Sequence, residues 1–170
     1  MNQPRGVVFG QDGNLYVGNS GTNQVQVFTI NGVFLRQFNV PTSGIYGLVM
    51  GVDGNLYISD PGNKRIDVVS TSGVLRGASV ASGWGATQGI AVDTAGNVYV
   101  ADTTGNVVRE YNESGTAVTI FGTGVAGSSL GQLNHPTAVA IDSQGYVYVY
   151  DKNNSRVEVF NSSAQALRTW

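Results

Sequence analysis

The hexapeptide Asp12-Gly13-Asn14-Leu15-Tyr16-Val17 decides the fold, because the chain repeats it in varied form three more times. The later copies are Asp53-Gly54-Asn55-Leu56-Tyr57-Ile58, Ala95-Gly96-Asn97-Val98-Tyr99-Val100 and Gln144-Gly145-Tyr146-Val147-Tyr148-Val149. The tyrosines in the fifth position of the four copies are separated by 41, 42 and 49 residues. A period of about 40–50 residues that carries strand-like segments is typical of the blades of a β-propeller.

Each repeat divides into four short apolar segments separated by turn residues. In the third repeat, these segments are rich in β-branched and aromatic residues and cover residues 88–92, 97–101, 107–111 and 116–121. The pattern predicts four antiparallel strands and lacks the 3.6-residue period of a helix. We therefore expect one all-β propeller array over residues 1–170, with four four-stranded blades. The expected blades cover residues 3–40, 44–80, 86–122 and 135–170.

The composition narrows the classes of function. The 170 residues include 9 basic and 11 acidic side chains and no cysteine, so neither disulfides nor thiolate metal sites can form. Only 12% of residues are charged, which predicts a surface of Asn, Ser, Thr, Gln and Gly. The start, Met1-Asn2-Gln3-Pro4, lacks the basic and apolar regions of a signal peptide. The low lysine content favours an extracellular parent protein.

Several segments together resemble NHL repeats. They are Pro4-Arg5-Gly6-Val7-Val8, Asn14-Leu15-Tyr16-Val17, Tyr57-Ile58-Ser59-Asp60, Asn63-Lys64-Arg65-Ile66-Asp67-Val68, Tyr99-Val100-Ala101-Asp102 and Gly131-Gln132-Leu133-Asn134-His135-Pro136-Thr137. The Trp-Asp pair of WD40 blades and the double glycine of kelch blades are missing from the sequence. The resemblance implies four-stranded blades, usually six in a closed ring, whereas this chain has four. We therefore expect self-association or further blades of a parent chain to complete the ring.

Acidic side chains at repeated positions have two interpretations. Polar residues end the second strand of every repeat, namely Asn19, Asp60, Asp102 and Asp151. They could form a ring of oxygen ligands for a hard cation, but Asp and Asn at such places more often accept backbone N–H groups of the next turn. Asp93 and Asp142 end first strands where the other repeats have Gly10 and Gly51, which also favours a role in turns. We expect no bound metal or cofactor.

No set of catalytic residues emerges from the sequence. Amidating lyases that resemble these blades use several histidines around zinc, and this chain has the single His135, expected on a loop. Glu110 stands where the other repeats have valine, so we expect it to be exposed or to pair with Arg109 or another neighbour. The alternative for Glu110 is a carboxylate of raised pKa in a cleft. The sequence therefore predicts no catalytic residue and favours a non-enzyme.

Nucleic-acid binding requires clustered cations. Lys64, Arg65, Lys152 and Arg156 lie on equivalent turns of two repeats, but the net charge of −2 opposes phosphate binding. We therefore expect the two arginines to stabilise the repeat, and nucleic acid is an improbable partner.

The residue just before the first-strand glycine or alanine varies from repeat to repeat. Equivalent positions of a propeller lie around one end of its axis, and chemically mixed residues there are typical of a recognition surface. The predicted rim consists of Arg5, Tyr46, Trp84, Gln88, His135 and Thr137. The favoured function is a non-catalytic scaffold that binds a protein or small ligand at this face. The alternatives are a lyase or hydrolase with an axial metal, and a structural, self-assembling module.

Overall fold

The computed structural model describes residues 1–76, 80–82 and 85–170 and contains four four-stranded antiparallel sheets. Within each sheet the strands lie side by side in chain order, so every connection inside a sheet joins direct neighbours. The sheets pack on one another in sequence order and are numbered here as blades 1 to 4. The all-β, propeller-type array predicted from the repeat is confirmed.

The strand boundaries follow the repeat. Blade 1 contains β1 (Pro4–Phe9), β2 (Leu15–Asn19), β3 (Gln24–Phe28) and β4 (Phe34–Asn39). Blade 2 contains β5 (Leu48–Met50), β6 (Leu56–Asp60), β7 (Arg65–Val69) and β8 (Val80–Ser82). Blade 3 contains β9 (Thr87–Val92), β10 (Val98–Asp102), β11 (Val107–Tyr111) and β12 (Ala117–Phe121). Blade 4 contains β13 (Pro136–Ile141), β14 (Val147–Asp151), β15 (Arg156–Phe160) and β16 (Ala166–Thr169).

Local sequence explains both the strands and the turns. In β3, Val25 and Val27 are fully buried and alternate with half-exposed glutamines, as expected when successive side chains of a strand point to opposite faces. The glycine of each repeated hexapeptide has a positive φ, from 75° at Gly54 to 86° at Gly96, a conformation that glycine adopts without strain. A 3₁₀ turn at Lys152–Asn154 is the one helical element in the described ranges, and none there is long enough to span a membrane.

The hydrophobic core consists of three clusters, one at each junction between consecutive blades. Tyr16 and Val25 of blade 1 share a cluster with Ile58 of blade 2. The second cluster joins blades 2 and 3, and the third joins blades 3 and 4. We call the face of a blade that points toward the next blade in the chain its trailing face, and the other its leading face. At each junction, the trailing face of one blade packs against the leading face of the next. The stability of the array therefore depends mainly on contacts between blades.

The repeated tyrosines show which junctions are filled. Tyr16, Tyr57 and Tyr99 lie on trailing faces and are 0%, 6% and 5% exposed. Tyr148 occupies the same position in blade 4 but is half-exposed, because no later blade of this chain covers it. Three of the four repeated tyrosines are therefore packing residues of a junction. Tyr148 instead stacks on Trp170, with ring centroids 5.8 Å apart.

We predict that Tyr99→Ala lowers the free energy of unfolding by about 3 kcal/mol or more, because it opens a cavity in a filled junction. Tyr148→Ala is the matched control and is expected to cost about 1 kcal/mol, since its ring is already partly in solvent. Urea denaturation at low protein concentration measures both values. Equal losses for the two variants would show that Tyr148 is as well packed as Tyr99.

Candidate functional site

The first strands of the four blades surround a cavity of about 510 Å³. The residue before the first-strand glycine or alanine lines this cavity in every blade, and the four residues are Arg5, Tyr46, Gln88 and Thr137. Sequence position alone placed them at one end of the axis, and the structure brings them together there. Their role in ligand binding stays a prediction. The cavity, called here the axial pocket, is the candidate functional site.

Glycines next to these residues allow the first strands to approach closely. A Cβ atom at Gly47 would lie 2.7 Å from the carbonyl oxygen of Gln88, and one at Gly89 would lie 2.6 Å from the Cα atom of Ala138. Neither distance is tolerated between non-bonded atoms, so the blade spacing near the axis requires glycine. Blade 4 has Ala138 at this position, and Ala138 is exposed. Glycine therefore permits the close approach of the first strands in blades 1 to 3, and blade 4 has alanine in its place.

The best-defined contact in the axial pocket joins Arg5 and Tyr46. The guanidinium carbon of Arg5 lies 4.0 Å from the centre of the Tyr46 ring, within the range of a cation–π interaction. This contact leaves guanidinium N–H groups available to a ligand, because it uses the face of the cation. Ser59 fixes the adjacent backbone by accepting the N–H of Gly47 at 2.5 Å and donating to the carbonyl of Gln88 at 2.8 Å. The pocket thus offers a positioned cation on a rigid frame.

Of the two other predicted rim residues, His135 is not part of the axial pocket lining. His135 is exposed and lies on the loop that precedes β13, with a positive φ of 56°. Its backbone N–H donates to Oδ1 of Asn106 at 3.0 Å, and its Nδ1 lies 3.1 Å from Oδ1 of Asn134. Trp84 lies outside the described residues.

The polar residue that ends each second strand anchors the loop leading into its own blade. Asp60 accepts N–H groups from Ser43 and Asn63, and Asp151 accepts the N–H of Asn134 at 2.6 Å. Although burial opposes it, hydrogen bonds from Asn63 and Ser43 hold the pKa of Asp60 below its usual value. Asn19 and Asp102 make the corresponding bonds in blades 1 and 3. The prediction that these residues accept backbone N–H groups of the following turn is confirmed for Asp60 and Asp102. Asn19 and Asp151 instead accept backbone N–H groups of the loop that precedes their blade.

A second set of aspartates fixes the repeated tyrosines. In blades 1 and 2 the carboxylate comes from the hexapeptide itself, and Asp12 accepts the hydroxyl of Tyr16 at 2.9 Å. In blades 3 and 4 it comes from the end of the first strand, and Asp142 accepts the hydroxyl of Tyr148 at 2.9 Å. Gly10 replaces Asp142 in blade 1, where a Cβ atom would lie 2.5 Å from the Tyr16 ring. The aspartate that accepts the tyrosine hydroxyl can therefore stand at either of two sequence positions.

Among the described residues, no three acidic or histidine side chains converge as a metal site.

Glu110 is buried at 6% exposure and pairs with a neighbour that sequence position did not indicate. The hydroxyl of Tyr99 donates to its Oε1 at 3.0 Å, while Arg109 instead forms an ion pair with Asp102 at 3.1 Å. Of the alternatives considered from the sequence, pairing with a neighbour is therefore confirmed, and that neighbour is Tyr99 and not Arg109. Burial and the nearby Glu110 and Asp93 carboxylates raise the pKa of Tyr99, so its phenol stays a donor.

The arginines on the equivalent turns serve the fold, as predicted. Arg156 forms ion pairs with Asp151 at 2.9 Å and Glu158 at 2.6 Å. It also donates to carbonyl oxygens of the long insertion at residues 122–133, at 2.6 Å for Ser128 and 2.7 Å for Gln132. Arg65 lies 2.9 Å from the carboxylate of Asp67. Because both guanidinium groups are engaged by the protein itself, they contribute little to a phosphate-binding surface.

Asp67 is an incompletely compensated carboxylate at the junction of blades 1 and 2. It is 1% exposed, and the N–H of Arg65 does not point at its oxygen despite the short distance. Its Oδ2 atom has no hydrogen-bond partner within the described residues. Burial raises the pKa of Asp67 to about 6; the nearby Asp60 carboxylate adds to the rise, and Arg65 opposes it. The junction therefore contains a group that titrates close to neutral pH.

Comparison with known proteins defines the class of protein. The family model described as NHL repeat matches residues 1–28 and 133–160, so the chain carries NHL repeats in its first and last blades and the resemblance noted above is confirmed. The fold is a propeller-type array of four blades, of which the first and last match the NHL repeat model. No curated protein matches the chain in sequence.

Solved structures share the fold at low sequence identity. A streptogramin B lyase structure matches with a TM-score of 0.77 and 15% identity, over 98% of this chain and 54% of that one. A catalytically inactive virginiamycin B lyase from Staphylococcus aureus, with quinupristin, matches with a TM-score of 0.77 and 15% identity over 96% of this chain and 54% of the lyase. A protein of unknown function from Bacteroides thetaiotaomicron matches with a TM-score of 0.78 and 17% identity over 93% and 47%. The chain thus spans about half the length of these propellers.

We predict that Asp67→Asn increases the free energy of unfolding at pH 7.5 by about 1–3 kcal/mol and changes little at pH 4. The folded-state pKa lies above the ordinary value of 3.8, so between about pH 4 and 6 the folded protein keeps a proton that the unfolded chain has lost. Stability from this group is therefore present at low pH and is lost as the pH rises through 6. Denaturation curves of both proteins across this range measure the difference, and a difference independent of pH would contradict the prediction.

Proposed function

We propose that this chain is a non-catalytic recognition scaffold that binds a protein segment or small ligand in the axial pocket. The observation that carries the proposal is the convergence of Arg5, Tyr46, Gln88 and Thr137 on one cavity of about 510 Å³. This volume lies within the range of small-molecule sites, and the lining combines apolar surface with a few polar groups. Arg and Tyr are also enriched among residues that dominate binding energy.

The charge of the pocket favours ligands with a carboxylate or another anionic group. Arg5 is the one charged residue in the described lining, and it is held in place by the Tyr46 ring. An arginine guanidinium binds carboxylates through two parallel N–H groups, which adds geometric selectivity to charge. Gln88 and Thr137 provide neutral donors and acceptors on the opposite side of the same pocket. The proposed ligand therefore presents an acidic group to Arg5 and polar groups to the far wall.

The lining is better suited to binding than to catalysis. The described pocket residues include no carboxylate and no imidazole, which are the usual general acids and bases. The lyases among the solved structures are 15% identical to this chain, a likeness that concerns the fold alone. A metal-dependent lyase or hydrolase remains the alternative function, and no feature of the described pocket favours it.

We predict that carboxylate-bearing fragments shift the backbone amide signals of Gly6, Gly47 and Gly89 in NMR titrations of the ¹⁵N-labelled chain. Fragments in which an amide replaces the carboxylate are expected to bind more weakly, because Arg5 then loses its charged partner. Tyr46→Ala is expected to weaken binding by about 1–3 kcal/mol with little loss of stability.

Arg5→Ala and Arg76→Ala form a matched pair of controls for this titration. Both arginines are exposed, but only Arg5 lines the axial pocket. Loss of the carboxylate preference in Arg5→Ala, and its retention in Arg76→Ala, would support the proposal. Shifts confined to other surfaces, or equal losses in both variants, would refute it.

A further inference from the structure

The leading face of blade 1 is exposed and mostly apolar. Directly opposed residues form one row along Phe9, Leu15, Phe28 and Phe34, and a second row along Val7, Val17, Gln26 and Gln37. Val7 is 60% exposed, Phe9 56% and Phe34 50%. The corresponding face of blade 2 is covered by blade 1, and its Leu56 and Ile58 are fully buried. Blade 1 therefore presents an interface that nothing in the described chain covers.

The trailing face of blade 4 is the opposite end of the array and is also exposed, apart from the fully buried Val159. Its rows of opposed residues are Ala140, Tyr148, Val159 and Arg168, and Ala138, Tyr150, Val157 and Trp170. Tyr150 is 43% exposed and Trp170 64%. A shallow cavity of about 190 Å³ lies on this face between Ala138, Tyr148, Tyr150 and Val157. In blades 1 to 3, the equivalent faces are buried in the junction cores.

The two open faces share one repeated aliphatic pair of positions with the filled junctions. Each junction core contains one aliphatic residue from the third strand of a blade and one from the second strand of the next blade. These pairs are Val25 with Ile58, Ile66 with Val100, and Val108 with Val149, and all six side chains are fully buried. By position, the fourth such pair is Val157 with Val17, and both of these valines are half-exposed.

We propose that a second copy of this chain closes the ring, with the trailing face of blade 4 of each copy on the leading face of blade 1 of the other. The two copies then form two identical junctions that continue the three internal ones, related by a twofold axis along the propeller axis. The ring has eight blades, two more than the six usual for the NHL family and within the range of four to eight known for propellers. One chain spans 47%, 54% and 66% of three solved structures of similar fold, so a partner of about the chain's own length is of the right order to complete a ring.

The junction between copies differs from the internal ones near the axis. Tyr150 stands where the earlier blades have the small buried residues Gly18, Ser59 and Ala101, and Ala138 stands where they have glycine. These larger side chains keep the two copies further apart at this point than neighbouring blades of one chain. We therefore expect reversible association. The dimer encloses the axial pocket, and each copy supplies its own Arg5, Tyr46, Gln88 and Thr137, whatever ligand the pocket binds.

Sedimentation equilibrium from low micromolar to near-millimolar concentration tests the proposal, together with two charge variants. The wild-type chain is expected to reach twice its monomer mass. Val17→Lys on the leading face and Val157→Glu on the trailing face are each expected to weaken association on the order of a hundred-fold or more, because each buries an unpaired charge in both junctions. Val118→Lys and Val118→Glu, at a 55%-exposed valine of blade 3, are the matched controls and are expected to leave association unchanged.

Mixing the two variants identifies which faces meet. A mixed dimer of Val17→Lys and Val157→Glu has one wild-type junction and one that pairs Lys with Glu, so association is expected to return. A dimer through two leading faces would instead be lost in Val17→Lys and kept in Val157→Glu, which overturns the proposal. Dimers that survive both substitutions also overturn it, because another surface then forms them.

A monomeric wild-type chain at every concentration overturns the proposal as well, and would leave the two faces to further blades of a longer polypeptide. Circular dichroism of each variant verifies that it is folded. If Val17→Lys does not fold, Val7→Lys replaces it, since Val7 is directly opposite Val17 and more exposed.

Discussion

The rest of the structure depends on the packing of one blade's tyrosine-bearing face against the aliphatic face of the next. A single four-stranded sheet of this size cannot bury its own apolar residues, so each blade gains its core only from its neighbours. Tyr16, Tyr57 and Tyr99 are the repeated aromatic side chains of that core, and an aspartate fixes each hydroxyl at the edge. An aspartate at either of two sequence positions can accept the tyrosine hydroxyl. The sequence of the turn can therefore differ between blades while the packing of the tyrosine stays the same.

Hydrogen bonds to buried carboxylates fix the loops that lead into the first strands, and so position the residues of the axial pocket. The carboxylates of Asp60, Asp102 and Asp151 each bind the loop that enters their own blade, and so fix where the first strand begins. Arg156 extends the same arrangement to the long irregular insertion before blade 4 by donating to two of its carbonyl oxygens. The position of each pocket residue is thus determined by buried or half-buried polar contacts one strand away. Charged residues are scarce in this chain, and many of those present are used in this way.

The repeat made the fold and the location of the axial pocket predictable. Four equivalent sequence positions had to meet around one axis, and Arg5, Tyr46, Gln88 and Thr137 do. Contacts that depend on side-chain direction were not predictable. Tyr99 and Glu110 are directly opposite each other on adjacent strands, whereas Arg109 next in sequence points to the other face and reaches Asp102. The period-two alternation of strands was the available signal, since neighbours in sequence cannot share a face. The exposure of Tyr148 depends on whether another blade packs against blade 4, which no local pattern records.

Beside the axial pocket, the residues that set the spacing between blades are different from the residues that line the pocket. Blade spacing near the axis is set by backbone atoms at Gly47 and Gly89, which have no side chain to vary. The preceding residues, Tyr46 and Gln88, line the axial pocket and are not restricted to glycine. Substitution at the pocket positions can therefore change the lining of the pocket while the spacing between blades stays the same. Such a molecule is a natural starting point for combinatorial libraries, in which a few adjacent side chains are randomised on a backbone that does not respond to them.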